Sequence, residues 1–384
     1  MKKLFYASIL GLILFEIANV YFIMPMPGSQ EMNSINGAYF LYTWRWVIRI
    51  GLSLIAVFSF FRTTWHQKWL PLSIMGLWIV IIYMFNFKMA ADTMFYQPNA
   101  LITKNALENK VDTSRIVIGI ERNGIAKAYP IQFIGYHHQV IDTLAGQPIM
   151  VTYCTVCRTG RVYEPKVNGI AEKFRLVGMD HFNAMFEDET THSWWRQSTG
   201  EAIVGQLKGA TLPELPSAQM ALNQWFTLYP NSLVMQPDPK FQAKYDSMSL
   251  YETGRGKSDL TRTDSLSWNK KSWVVGIKIK GQSKAFDWKN LKEKTIINDF
   301  VGKTPIVLVL ANDKKSFFAF ERPSGSTVFY LKNDTLFSGN LSYNLRGVSL
   351  SSPPSVSNPN LKSVNAYQEF WHSWQTFSPQ TEKY

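Results

Sequence analysis

Cysteine is nearly absent from this chain: 384 residues hold two, both in the single run Cys154-Thr155-Val156-Cys157. So small a number excludes a disulfide-rich scaffold, and without a second CxxC knuckle it excludes a four-sulfur zinc site. No hydrolytic triad motif, Walker loop, GxGxxG fingerprint or HExxH helix occurs, which removes the usual signatures of acyl transfer, nucleotide binding and zinc proteolysis. Clustered runs of Lys and Arg are also missing. The formal charge of +12 is spread over 40 basic and 28 acidic residues, so nucleic acid is not an expected partner.

Long apolar runs, by contrast, fill the first quarter. Leu4 to Met24, Ala38 to Phe60 and Trp69 to Phe87 span 21, 23 and 19 residues, each long enough as a helix for a bilayer core of about 30 Å. They predict three transmembrane helices, with residues 1–95 as a membrane anchor in the lipid bilayer. Lys2 and Lys3 precede the first run, but no small-x-small cleavage site follows it, so it reads as an anchor rather than a signal peptide. Lys2, Lys3, Arg62 and Lys68 fall on one common side, the expected cytoplasmic face. An odd number of spans then delivers the rest to the exoplasmic side of the membrane, periplasmic or extracellular, where disulfides persist. Glu16, Arg45 and Arg49 lie inside these runs. A structural ion pair of Glu16 with one of the arginines is the expectation, ahead of a bound quinone or a proton path.

The remainder repeats itself. Shifted by 157 residues, Val117 to Glu164 lies on Val274 to Glu321 without a gap, with ten identities in 48 positions. Val117-Ile118-Gly119-Ile120 meets Val274-Val275-Gly276-Ile277, and Lys127-Ala128-Tyr129 meets Lys284-Ala285-Phe286. Asp142, Pro148 and Ile149 meet Asp299, Pro305 and Ile306. Trp225 to Pro230 and Trp374 to Pro379 echo one another near the ends. Two tandem degenerate copies follow, at 100–235 and 271–384, with a polar, turn-rich linker at 236–270. Cys154 and Cys157 face Ala311 and Lys314, and His137 faces Lys294, so the first copy is expected to be the active half and the second its structural partner.

Short β-rich runs predict strands at Ile116–Ile120, Ile125–Tyr129, Val140–Leu144, Ile149–Tyr153, Arg161–Tyr163 and Lys173–Val177. Asn123-Gly124, Ala145-Gly146-Gln147 and Val167-Asn168-Gly169 supply hairpin turns between successive pairs. Helical patterns are confined to Ile131–His137, Thr191–Gln197 and Ala218–Leu228. The fold class is α+β, mostly antiparallel sheet.

Several segments together resemble the bacterial domain of unknown function numbered 3179. They are Gly124 to Pro130, His137 with Val140 and Asp142, Pro148 to Cys157, Asn183-Ala184-Met185, and Thr191 to Gly205. The resemblance implies a CxxC-like pair as hallmark, with selenocysteine in that motif in some members, which favours redox use; it implies no established reaction. This chain has His138 where the family usually carries an acid and Ile141 where Asn is usual.

A thiol of pKa about 8.5 needs a helix N-terminus or a nearby cation to react at neutral pH. Arg158 and Arg161 are near in sequence, with Cys154 the expected attacking thiol, Cys157 the resolving one and His137 a companion. The leading expectation is a thiol-disulfide oxidoreductase acting on a protein thiol or disulfide partner. Copper(I) bound by Cys154, Cys157, His137, His181 and Met185 is the alternative, because soft thiolates with His or Met suit that ion. A binding module pinned by a structural disulfide is the third, although so short a loop gains little chain entropy.

Overall fold

Asn123 and Gly124 both take left-handed φ, 54° and 79°, making the two-residue turn that an Asn-Gly pair favours. The turn closes the first hairpin of the computed structural model, which describes residues 1–351 and 359–384. The chain divides into two compact units: Met1–Tyr96 with Glu172–Thr211, and Gln97–Ala171 with Leu212–Tyr384.

In the first unit, helix α1 (Lys2–Tyr21) packs against α3 (Arg45–Phe61) and α4 (Trp69–Tyr83). Phe5, Ile9, Leu12 and Ala56 form a small buried core there. Two helices, Lys2–Tyr21 and Trp69–Lys88, are long and apolar enough to cross a membrane. The run expected as one straight span at Ala38–Phe60 is instead a pair, α2 (Ile35–Thr43) and α3, bent by 61°, and counts as a third span only if the two are taken together. At the bend Arg45 donates to the Tyr42 carbonyl that the broken helix releases and lies over the Tyr42 ring. Glu16 accepts two hydrogen bonds from Arg49, at 2.8 and 2.7 Å, so Arg49 is its partner and Arg45 is not.

The same unit holds a four-stranded antiparallel sheet of Phe174–Asp180, Asn183–Asp188, Trp194–Arg196 and Ala202–Val204. The helix expected over Thr191–Gln197 is therefore a turn and a strand. Asp188 decides this, because its carboxylate accepts from Thr191 N, Ser193 N and Trp195 Nε1 and so rewards a tight turn over a helix. Residues 172–211, read from the sequence as part of the first copy, pack with the N-terminal helices.

The second unit contains two series of elements. The first runs Ile116–Arg122, Ile125–Pro130, helix Ile131–His137, then strands Gln139–Leu144, Gln147–Cys154 and Thr159–Tyr163. The second runs Trp273–Ile279, Gln282–Asp287, helix Trp288–Lys294, then Ile296–Val301, Thr304–Leu310 and Phe317–Glu321. In each series the last three strands form an antiparallel sheet of their own, while the opening hairpin is extended by strands from later in the chain. Ala218–Ala221 flanks the first hairpin on one side and Leu233–Met235 on the other; Ala366–Phe370 and Glu382–Lys383 do the same for the second. The outer pairing with Leu233–Met235, like that with Glu382–Lys383, is parallel.

Two local expectations change here. Lys173–Val177 does not pair with Arg161–Tyr163; the latter joins Gln147–Cys154, while Asn168-Gly169 turns a two-residue hairpin of its own. Ala218–Leu228 begins as strand and becomes helix only at Leu222, because Ala218–Ala221 completes the ladder beside Ile116–Gly119.

Candidate functional site

Cys154 is the last ladder residue of its strand and pairs with Thr159, so Thr155 to Arg158 form the four-residue loop of a β-hairpin. The thiol pair thus spans one tight turn and not the start of a helix. Arg158 closes the loop in a left-handed conformation, φ 57°, unusual for a side chain with a Cβ. Both cysteines are 0 % exposed and carried as thiols.

Arg158 was expected to activate the thiols, but its guanidinium is committed elsewhere. Nε donates to Gln368 Oε1 at 3.0 Å, and the terminal nitrogens donate to the Tyr251 and Glu252 carbonyls at 3.2 and 2.9 Å. The group stacks 3.5 Å from the Trp273 ring centroid. Five donors in a planar fork suit such a clamp, which ties the loop to the segment around residue 251 and to the strand Ala366–Phe370.

A second cation at the cysteine loop, besides Arg158 within it, is Lys271. Its Nζ donates to the Val156 carbonyl, between the two cysteines, at 2.8 Å and to the Leu260 carbonyl at 2.6 Å. His372 Nε2 lies 3.2 Å from Nζ and 3.1 Å from the same Val156 oxygen. Burial pulls Lys271 down to about 8, against the opposing pull of Cys157, then Cys154, then Asp264, whose thiolate or carboxylate charges favour the ammonium. His372 is driven to about 3 by burial first and then by Lys271, which keeps its imidazole neutral. The Phe370 backbone N–H donates to the Cys157 carbonyl at 2.9 Å, fixing the loop from the other side.

Aromatic hydroxyls complete the surroundings. Tyr251 donates to the Thr155 carbonyl at 2.9 Å, and its oxygen is 3.3 Å from that of Tyr153. Burial raises Tyr153 to about 12 and Tyr251 well above the usual phenol, so both remain protonated donors at neutral pH. The residues 236–270, expected as a linker, therefore cover the cysteine loop through Tyr251 and Leu260.

His137 sits at the end of the helix Ile131–His137, fully buried, with Nε2 2.7 Å from the Tyr245 hydroxyl. The next residue, His138, is held at 3.0 Å from the Tyr153 carbonyl, and burial lowers it to about 4. Arg161 forms a buried pair with Glu369 at 2.6 Å rather than facing the thiols as a spare cation. His181 and Met185 belong to the first unit, where His181 is 2.8 Å from Asp180 and 3.1 Å from Asn33, and Met185 is a buried strand residue. Among the described residues no three His, Cys, Asp or Glu side chains converge as a metal site.

Lys271, His372 and Tyr251, which surround the cysteine loop, were not among the residues expected from the sequence. Lys271 and His372 lie within residues 271–384, a stretch expected to be only a structural partner. Nothing around Lys271 marks it as special, while His372 lies two residues before Trp374 in the Trp-to-Pro echo, the one signal that ties its helix to the first copy.

Two comparisons, one with curated proteins and one with solved structures, give no match for the chain. A family model described as a protein of unknown function, DUF3179, matches residues 98–381.

Proposed function

We propose, for a chain that belongs to the DUF3179 family of proteins of unknown function, that Cys154 and Cys157 exchange thiols and disulfide with a protein partner. One observation carries this reading: a buried thiol pair spans a single hairpin loop, and a lysine ammonium donates to the carbonyl between them. A cation against the loop favours thiolate, the nucleophile in exchange. Lys271 donates to the carbonyl of Val156, the residue directly before Cys157, and on that placement Cys157 is taken as the attacking thiol and Cys154 as the resolving one, the reverse of the order expected from a helix start.

In the reaction, the Cys157 thiolate attacks one sulfur of the partner's disulfide, and the partner's other sulfur leaves as thiolate and takes a proton. Cys154 then attacks the Cys157 sulfur and releases the second partner thiol. The pair loses two electrons and two protons, and the partner disulfide gains both. Access requires the surroundings of the loop to open, since both cysteines are fully buried.

The reading places the site outside the cytoplasm. Lys2 and Lys3 before the first apolar helix, with Arg62 and Lys68 before Trp69–Lys88, support a cytoplasmic start and three spans. The two series of elements are read as an internal duplication. Their offset of 157 residues holds from Ile116 against Trp273 through Gln147 against Thr304, and the strand orders agree.

Oxidised glutathione tests the chemistry. The native chain is expected to end with an internal disulfide and no adduct, Cys154→Ser with one stable glutathione on Cys157, and Cys157→Ser with slow or no reaction. Independent adducts on both cysteines of the native chain would overturn the reading.

A further inference from the structure

Trp46, Ile50, Leu54, Val57 and Phe87 wall an open groove of about 640 Å³ between α3 and the helix Trp69–Lys88, and all of them are exposed. The lining is ordered by polarity. Arg45, Arg49, Asn86 and Glu16 stand together where α3 begins and Trp69–Lys88 finishes, whereas from Ile50 to Val57 the lining of α3 is apolar apart from Ser53. From Arg45 to Val57 the helix rises about 18 Å, the reach of an acyl chain more than of a compact ligand.

Charge at the polar end is unbalanced. Both oxygens of Glu16 are taken, by bonds from Arg49 at 2.8 and 2.7 Å and from Asn86 at 2.9 Å. Arg45 gives one nitrogen to the Tyr42 carbonyl and, among the described residues, forms no ion pair. Two guanidinium groups therefore face one carboxylate that is already filled. Their level is that of lipid headgroups, because Phe40, Trp44 and Trp46 are exposed around the bend that holds Arg45, and Tyr83 and Phe87 are exposed beside Lys88, as in an interfacial aromatic belt. An unpaired cation there calls for an anion, and the groove that continues from it calls for a hydrocarbon tail. A zwitterionic headgroup would bring a second cation, for which Glu16 has no oxygen to spare.

The geometry points to a site for one anionic phospholipid, whose phosphate accepts from the Arg45 guanidinium and whose acyl chain runs along α3 past Ile50, Leu54 and Val57. The inference rests on these helices lying in a bilayer and is independent of the thiol chemistry.

Spin-labelled lipids test it on the full chain reconstituted in phosphatidylcholine, with electron paramagnetic resonance reading the label whose motion the protein restricts. Chain-labelled phosphatidylglycerol is expected to fill one site per chain with a preference of about fivefold over labelled phosphatidylcholine, the order of effect of one basic side chain. Arg45→Gln is expected to abolish the preference and Arg45→Lys to keep most of it. Arg62→Gln, at the opposite end of α3, should leave it as in the native chain. Ser53→Phe, which fills the groove beside an intact Arg45, should weaken it several-fold and decides the matter if Arg45→Gln fails to fold. Soluble glycerol phosphate should not compete. Equal restriction of the two lipids by the native chain overturns the proposal, as does a preference that survives Arg45→Gln or Ser53→Phe, falls equally in Arg62→Gln, or yields to glycerol phosphate.

Discussion

Lys271 Nζ donates to the Val156 carbonyl at 2.8 Å, and this places a cation at the loop that joins the two cysteines. Lys271→Met is therefore expected to raise the apparent pKa of the reactive thiol, read from iodoacetamide alkylation rate against pH, by at least about one unit. Lys271→Arg should keep most of the native profile. A merely structural lysine would shift stability and leave the profile where it was.

The buried histidines predict acid sensitivity. His138 and His372 have folded values of about 4 and about 3 against 6.5 unfolded. The unfolded chain therefore binds more protons as pH falls below 6.5, and the native state loses stability across the window down to about 4 for His138 and about 3 for His372. For His138 alone the loss is on the order of 3 kcal/mol. Thermal melting of the native chain should fall through this window. His138→Gln should flatten the fall, and an unchanged slope in that variant would contradict the assignment.

Arg161 and Glu369 form a buried ion pair at 2.6 Å, and Glu369 also accepts from Thr159 and Ser373. Removing Glu369 leaves the buried Arg161 with only the longer contact to Glu214 at 3.5 Å. Glu369→Ala is expected to cost about 3–5 kcal/mol in denaturant unfolding. A loss below about 1 kcal/mol would show the pair to be solvated in solution.

Trp225 lies over Gly119 so closely that a Cβ there would meet the indole at 2.1 Å, and Trp374 lies over Gly276 with a corresponding approach of 2.2 Å. Gly119→Ala and Gly276→Ala are each expected to destabilise by about 1–3 kcal/mol, because an overpacked interior must shift ring or strand. Similar losses at the two positions would support common descent of the two series. A neutral Gly276→Ala beside a costly Gly119→Ala would argue against it.

The tryptophan–glycine contacts also explain which parts of the structure could be read in advance. Strands with strong local signals were legible: Asn123-Gly124 fixed one hairpin, and Ile131–His137 appeared as a helix with the expected bounds. Trp225 and Trp374 were visible only as an echo, because their glycine partners lie about 100 residues upstream and no local pattern encodes such a contact. Asp188 defeated the helical reading of Thr191–Gln197 through side-chain bonds to backbone that periodicity does not register. At the site, the cysteines announced themselves by spacing. Arg158 was near in sequence but faces the clamp formed by Gln368, Tyr251 and Glu252, while Lys271 comes from more than 100 residues away.

The reduction potential of the Cys154–Cys157 couple tests the central claim most directly. Equilibration of the native chain with defined glutathione or dithiothreitol ratios should give a reversible two-electron couple lying above about −300 mV, in the range of exchanging pairs. A value well below about −300 mV would make the pair a structural bridge, and no reversible couple at all would remove the thiol-disulfide function.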